Sequence, residues 1–201
     1  DYKKGKIKGN IYYYELEKEL NIWTYEEYRK FENVIDDLTY KVFFKFLYHT
    51  GCRLGEALAL SFNDLQGNVL TINKTITKEY VDGKRAITTP KTKKSNRKIL
   101  LDQNLLHDIN KLHKYYSIKF KDCDNNFYIF GGPKPLAPTT IERKKNKYCK
   151  LANVKQIRIH DFRHSHATLL VNNNIPINIV ADRLGHSDIN LTYSIYVHKN
   201  L

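Results

Sequence analysis

The order of helical and extended segments along the chain restricts its fold more strongly than any other feature. Thr24-Tyr-Glu-Glu27 is typical of a capping box and predicts a helix that continues to about residue 34. Apolar residues on one face predict a second helix over 39–49, with Gly51 as its C-terminal stop, and a short third helix over 53–60. The first part of the chain is therefore predicted to be helical.

Between residues 69 and 101 the pattern changes to β-branched and apolar runs that are separated by turn-like segments. These runs predict a three-stranded antiparallel sheet; they cover residues 69–76, 86–89 and 98–101. Helical patterns then return, over residues 102–118, 139–150, 161–172, 176–184 and 188–196. The sequence predicts an α+β fold that is mainly α-helical and contains one small three-stranded antiparallel sheet.

The charge of the chain favours an anionic partner. Its 201 residues include 34 Lys and Arg against 21 Asp and Glu, a formal net charge of +13. Two stretches, 84–98 and 143–150, contain only basic charges, as expected of a surface that follows a nucleic-acid backbone. The candidate DNA contacts in these stretches are Lys93, Lys94, Arg97, Arg143, Lys144, Lys145 and Lys147.

The cysteines and the hydropathy of the chain exclude several other classes. Cys52, Cys123 and Cys149 are far apart and form no C-x-x-C pair, so we expect neither a disulfide framework nor a structural zinc site. No apolar run approaches the ~18 residues that a membrane span needs, and no signal peptide is recognisable. A reducing cytoplasm is therefore the expected location.

Five residues of the chain are suited to attack on a phosphodiester without a metal: Arg53, His160, Arg163, His186 and Tyr196. A guanidinium fork matches a pair of phosphate oxygens bidentately. His160 and Arg163 lie three apart at the start of a predicted helix and so share one face. The histidines would move or hold protons, and the tyrosine would supply the attacking oxygen. For His164, His166 and His198 a purely structural role is the alternative.

In their residues and their order along the chain, these motifs resemble the catalytic domain of the tyrosine recombinase (phage-type integrase) family. The resemblance covers about residues 24–198 and includes Gly51-Cys-Arg-Leu-Gly-Glu56, the His-x-x-Arg pair, Leu184-Gly-His186 and Tyr196-Val-His198. It implies the fold of that catalytic domain. It also implies that Glu56 orients catalytic side chains. It also implies that Tyr196, which stands at the family's spacing after the Gly-His pair, is the nucleophile.

The resemblance further implies a general acid on the predicted hairpin. In the family a lysine there protonates the leaving 5′-oxygen, and Lys91-Thr92 matches its setting best. Lys93 and Lys94 stand close enough to remain alternatives, with phosphate contact as their other role. General-acid catalysis of this kind contributes ~10²–10⁴ in rate.

The resemblance implies a site-specific recombinase of a mobile element, associated with DNA in the cytoplasm of a bacterial host. It would act through a 3′-phosphotyrosine without metal, cofactor or ATP. Its partner would be double-stranded DNA, on which we expect a homotetramer assembled from monomers, with accessory DNA-bending or excision factors as further partners. Residues 1–22 are predicted to be a linker from an absent N-terminal core-binding domain, and 23–201 the catalytic domain.

Three alternatives remain. A type IB topoisomerase shares the nucleophile and the arginines, although the residues of the Gly-x-Arg-x-Gly-Glu and Leu-Gly-His motifs favour the recombinase. A metal phosphohydrolase could use His160, Asp161, His164, Asp182 and His186 as ligands, although such sites usually have a denser carboxylate cluster. A non-catalytic DNA-binding regulator could have the same fold, although every catalytic position holds a competent residue.

Overall fold

Seven α-helices and three small antiparallel sheets make up the described part of the chain, which in the computed structural model comprises residues 21–81, 84–89 and 95–185 and the short strands at 3–4 and 14–15. The helices are α1 (Tyr25–Asn33), α2 (Leu38–Thr50), α3 (Leu54–Ala59), α4 (Gln103–Lys119), α5 (Pro138–Ala152), α6 (Asp161–Asn172) and α7 (Ile177–Leu184). The strands are β1 (Lys3–Lys4), β2 (Tyr14–Glu15), β3 (Leu65–Gln66), β4 (Val69–Ile72), β5 (Thr75–Val81), β6 (Lys84–Thr88) and β7 (Arg97–Leu100).

Local signals in the sequence fix the ends of these helices. The predicted capping box is present, because the Thr24 N–H donates to Glu27 over 2.8 Å and the Glu27 N–H donates to the Thr24 hydroxyl over 3.2 Å. Helix α2 ends at Gly51, whose φ of 65° lies in the left-handed region. The predicted helices up to Leu184 are confirmed to within two residues at each end, whereas the helix predicted over 188–196 lies outside the described residues.

Helix α2 forms the centre of the core. Its Phe43, Phe44 and Phe46 are fully buried, and complete burial of such a side chain contributes about 1.5–3 kcal/mol. Phe44 stacks on Phe162 of α6 with ring centroids 5.6 Å apart. This packing fixes α6 against α2, so that the start of α6 lies near the C-terminal end of α2.

The predicted sheet is only partly correct. A three-stranded antiparallel sheet exists, but its strand order is β3-β4-β7, and β5 and β6 pair separately with each other. The predicted run 69–76 divides between β4 and β5, where Lys74 forms an ion pair with Asp64 over 2.7 Å in the preceding 3₁₀ turn. That contact holds the chain where it leaves the first sheet. Strand β3 has two residues, too few to show a period.

The N-terminal segment contains β1 and β2, which pair antiparallel with Lys3 opposite Glu15. Its assignment as an interdomain linker remains a prediction. Among the described residues no helix is both long enough and apolar enough to span a bilayer.

Candidate active site

Arg163 joins three segments that are distant in sequence. Its side chain is 2% exposed, and its two terminal nitrogens donate to the Gly51 carbonyl over 2.8 Å and to the Leu184 carbonyl over 2.7 Å. Burial, followed by the nearby charge of Arg53, lowers the pKa of the Arg163 guanidinium to about 9, so the group keeps its charge at neutral pH. The end of α2, the start of α6 and the end of α7 therefore meet at one buried cation.

The two glycines of the Gly51–Glu56 motif allow this approach. A Cβ atom on Gly51 would lie 2.6 Å from Leu184 Cδ2 and 2.8 Å from His166 Cδ2. A Cβ atom on Gly55 would lie 2.6 Å from the carbonyl oxygen of Ile76 in β5. Since real Cβ contacts are longer than this, any larger residue would push α7 or β5 away from the motif.

Glu56 holds two arginines at once. Its Oε1 accepts from Arg53 Nη1 over 2.9 Å, and its Oε2 accepts from Arg97 Nη2 over 2.8 Å. Burial alone would raise the pKa of Glu56, but the hydrogen bonds and charge of Arg97, helped by Arg53, hold that pKa below its ordinary value. Glu56 is therefore a carboxylate that fixes the Arg53 side chain, 40% of which is exposed.

The site contains more positive than negative charge. We call Arg53, Arg97, Arg163 and Arg183 the arginine cluster. Arg183 donates to His166 Nε2 over 3.2 Å and to the His49 carbonyl over 3.2 Å. Among the ion pairs of the described residues, Glu56 is the one carboxylate that pairs with this cluster. An excess of guanidinium charge in a partly buried site stabilises a bound anion.

The histidines beside the cluster are neutral at pH 7. Desolvation, followed by the charge of Arg163, lowers the pKa of His160, which precedes α6. His164, whose ring centroid lies 4.8 Å from that of His160, has its pKa lowered to about 4, and buried His166 has its pKa lowered to about 3. A neutral imidazole accepts a proton, so His160 is suited to serve as an acceptor.

The remaining predicted catalytic residues lie outside the described residues: Lys91, His186 and Tyr196. The same is true of Lys93 and Lys94. The described chain extends to Gly185, the residue immediately before His186, and Gly185 caps α7 with a φ of 69°. Arg163 therefore binds the helix end from which the chain continues to His186.

Two of the predicted DNA contacts need correction. Arg97 is bound to Glu56 and its side chain is 6% exposed, and Lys145 is 2% exposed and donates to Glu142 and the Ile157 carbonyl. Each of these two cations is already paired with a carboxylate, whereas Arg163 binds only carbonyl groups, so neither is expected to contact a phosphate. The error has a physical cause: a run of basic residues on a helix or strand includes positions that point inward.

The other basic residues of α5 differ in their neighbours. Lys144 lies 3.5 Å from Asp37, and Lys147 lies 3.8 Å from Asp36. Arg143 is exposed, and none of the ion pairs among the described residues includes it. Among the predicted DNA contacts of this stretch, Arg143 is thus the best placed for a phosphate.

Sequence reasoning missed Arg183 and did not assign His166 to the site. Arg183 is the residue two before Gly185, and this spacing is the one signal that could have drawn attention to it. The structural role considered for His166 fits its position, because it is buried and accepts a hydrogen bond from Arg183.

Comparison with known proteins identifies the family to which the chain belongs. The profile of the phage integrase family matches residues 23–201, and the chain belongs to that family. It is 32% identical over 188 residues to the ICEBs1 integrase of Bacillus subtilis (strain 168), covering 90% of this chain and 51% of that protein. It is 30% identical over 153 residues to a tyrosine recombinase of Pseudothermotoga lettingae, covering 76% and 46% respectively.

Solved structures share the fold. The Tn1549 transposon integrase in complex with transposon right end DNA has a TM-score of 0.75 at 20% identity, covering 89% of this chain and 62% of that one. The XerA recombinase has a TM-score of 0.66 at 20% identity, with coverage of 87% and 57%. The fold is therefore that of a tyrosine recombinase catalytic domain. The chain spans about half the length of the two relatives named above.

Proposed function

We propose that the protein is a site-specific DNA recombinase of a mobile genetic element and that this chain cleaves and rejoins DNA strands through Tyr196. The ICEBs1 integrase and the Tn1549 transposon integrase are both named for mobile elements, and the latter was solved with transposon DNA. These relatives support double-stranded DNA as the substrate. A homotetramer on DNA, monomers in its absence and accessory bending or excision factors belong to the same proposal, as does a cytoplasmic location.

The arginine cluster is the observation that carries this proposal. Four guanidiniums share one carboxylate in a site that the chain builds from three motifs. A pentacoordinate phosphate carries two anionic oxygens, which Arg53 and Arg163 would neutralise together with His186. Glu56 would keep Arg53 in place without touching the phosphate.

The reaction needs a proton acceptor because tyrosine is a weak nucleophile at neutral pH. A phenol of pKa ≈ 10 is only ~0.1% ionised at pH 7. In the proposed step the Tyr196 oxygen bonds to phosphorus, its proton passes to neutral His160, and the bond from phosphorus to the 5′-oxygen breaks. Lys91 gives a proton to that oxygen. The ester conserves the bond energy, so rejoining needs no ATP.

The nucleophile can be tested with a matched pair of tyrosines. Tyr193 and Tyr196 stand three residues apart, and Tyr196→Phe should abolish the covalent adduct while Tyr193→Phe keeps it. The substrate is a nicked duplex selected by the chain from a randomised pool, in buffer with EDTA, and mass spectrometry of the DNA-linked peptide locates the bond. An adduct on Tyr193 or on a serine would contradict the proposal, and an adduct that requires a metal would favour the phosphohydrolase alternative.

The same assay separates the remaining alternatives. A non-catalytic regulator would bind the selected duplex and form no adduct with any nicked form of it. A type IB topoisomerase would relax supercoiled plasmid without preferring the selected sequence, whereas a recombinase should join two copies of that sequence.

The general acid can be assigned with a modified leaving group. A 5′-bridging sulfur leaves without a proton, so it should restore the rate that Lys91→Ala loses. If the sulfur restores the cleavage rate of Lys93→Ala and not that of Lys91→Ala, Lys93 is the general acid.

A further inference from the structure

Arg97 is an internal residue whose contacts connect two motifs of the site. It begins β7, its side chain is 6% exposed, and its charge is paired with Glu56. Nevertheless its guanidinium makes more hydrogen bonds than are needed to neutralise one carboxylate. One of these hydrogen bonds goes to the Arg183 carbonyl, which pairing with Glu56 does not require.

The first group of contacts is to Glu56. Arg97 Nη2 donates to Oε2 over 2.8 Å and Nη1 donates to Oε1 over 3.2 Å, so the guanidinium faces the carboxylate with both terminal nitrogens. Arg53 uses the same Oε1, at 2.9 Å. Any rotation of the Glu56 carboxylate would therefore also move the Arg53 side chain.

The second contact is to the end of α7. Arg97 Nε donates to the Arg183 carbonyl over 2.8 Å, and the next carbonyl, that of Leu184, accepts from Arg163 over 2.7 Å. The last carbonyls of a helix have no partner within the helix and carry partial negative charge. Two buried arginines thus bind two successive carbonyls immediately before Gly185 and His186.

We propose that Arg97 is a positioning residue. It holds Arg53, through Glu56, at a fixed position relative to the end of α7. The inference rests on the proposed strand cleavage. The motif around Glu56 and the motif that ends at His186 are joined covalently only through a long stretch of chain. Arg97 provides a direct link between them, parallel to the link that Arg163 makes through Gly51 and Leu184.

The geometry requires the guanidinium fork. A lysine at position 97 would supply the charge from a single nitrogen, which cannot reach both Glu56 oxygens and the Arg183 carbonyl together. A small displacement of a catalytic group, of about 1 Å, can cost ~10²-fold in rate. Arg97→Lys should therefore lower cleavage by about that factor under saturating DNA, with the dissociation constant changed less than about threefold because the charge of Arg97 is already paired with Glu56.

Lys145 offers a matched control for the loss of a buried cation. It is also buried and also bonds a carboxylate and a backbone carbonyl, but it lies on α5 outside the arginine cluster. Lys145→Met and Arg97→Met both remove a buried cation and should both lower the melting temperature, but Lys145→Met should retain the wild-type single-turnover rate. Rates are measured at a temperature where circular dichroism shows each variant to be fully folded.

A pH profile distinguishes positioning from a loss of stability. The charged groups that face Glu56 are Arg53, at the start of α3, and Arg97, in β7, and Cys52 and Arg163 lie nearby. Arg97→Met removes one of the cations that hold the pKa of Glu56 down against the effect of burial. The Glu56 carboxylate should therefore take up a proton at higher pH and release Arg53. The acid limb of cleavage should move to higher pH in Arg97→Met and should not move in Arg97→Met combined with Glu56→Gln.

Three results would overturn the inference: cleavage by Arg97→Lys at the wild-type rate, an equal rate loss in Lys145→Met, or an acid limb that does not move in Arg97→Met. All are judged against wild-type protein that forms the adduct on the same selected duplex. Wild type that forms no adduct on any nicked duplex would instead overturn the proposed function, so the two failures are distinguishable.

Discussion

Two basic regions of this molecule differ in how their charges are balanced. In the arginine cluster, four guanidiniums share the single carboxylate of Glu56 among the described ion pairs. On α5, each of three lysines has an acid of its own: Lys144 with Asp37, Lys145 with Glu142 and Lys147 with Asp36. The first region therefore retains uncompensated positive charge, whereas much of the second is neutralised.

The difference shows why a count of basic residues does not locate a phosphate site. Exposed ion pairs such as Lys147 with Asp36 contribute about 0–1 kcal/mol and leave little field for a ligand. Buried guanidiniums bonded to carbonyls keep their full charge, and low polarity around them strengthens their attraction for an anion. We therefore place the phosphodiester at the arginine cluster and not on α5.

The largest predicted difference between the two regions is in catalysis. Arg163→Lys should lower single-turnover cleavage by ~10²–10³, as the loss of one donor to a developing oxyanion does in other enzymes. The same substitution removes a partner from Gly51 or Leu184, so the melting temperature should also fall. Cleavage by Arg163→Lys at the wild-type rate would show that the cluster only stabilises the fold.

The two regions should also differ in their response to acid. His166 has a pKa of about 3 in the folded chain against 6.5 when unfolded, so between these values the unfolded state binds more protons. Stability should therefore be complete above pH 6.5 and fall below it, by on the order of 1 kcal/mol per pH unit for such a group. Urea unfolding from pH 7 to 4.5 measures this.

The Asp36 carboxylate beside α5 titrates at lower pH, because the hydrogen bond from Tyr148 lowers its pKa below 3.8. Its contribution to stability is therefore retained down to that range. His166→Gln should reduce the slope of stability against pH between 4.5 and 6.5 and leave the part that belongs to His164, whose pKa is lowered to about 4. A dependence that stays equally steep in that variant would locate the acid-sensitive group elsewhere.

Catalysis itself should tolerate mild acid. The pKa of His160 is lowered from its usual 6.5 by desolvation and by Arg163, so the neutral form that accepts a proton persists below that value. The acid limb of single-turnover cleavage should lie below pH 6.5. A limb above pH 6.5 that disappears in His160→Gln would contradict this assignment.

The smallest effect concerns DNA affinity. Arg143→Gln should reduce the slope of log K against log salt by about 0.9, the value for one lost phosphate contact. Lys147→Gln should change it less, because Asp36 already balances that charge. Filter binding across a salt series makes the measurement, and equal changes in the two variants would show that the ion pair opens on DNA.

The sequence was sufficient for the features that depend on local chemistry. The cap at Thr24, the stops at Gly51 and Gly185 and the ends of the helices follow from residues within one turn. The catalytic motifs were recognisable for a similar reason, since spacing along α6 puts His160 and Arg163 on one face. Such signals need no knowledge of the tertiary structure.

The features that depend on long-range packing were not predictable. Arg97 and Lys145 were assigned to DNA because neither sequence setting reveals which side chain turns inward to Glu56 or Ile157. Strand β3 and the division of 69–76 follow from pairing across the sheet and from Lys74 with Asp64. Arg183 enters the site only because α7 packs against α2 and β7.

The most direct test of the central claim is the position of a phosphate analogue. The test is a crystal structure of the chain with a nicked selected duplex and vanadate, which adopts the geometry of a pentacoordinate phosphate. The vanadate oxygens should accept hydrogen bonds from Arg53 and Arg163, and the vanadium should lie beside the Tyr196 oxygen. Vanadate or the nicked phosphate bound instead at Arg143 on α5, with the arginine cluster empty, would contradict the account.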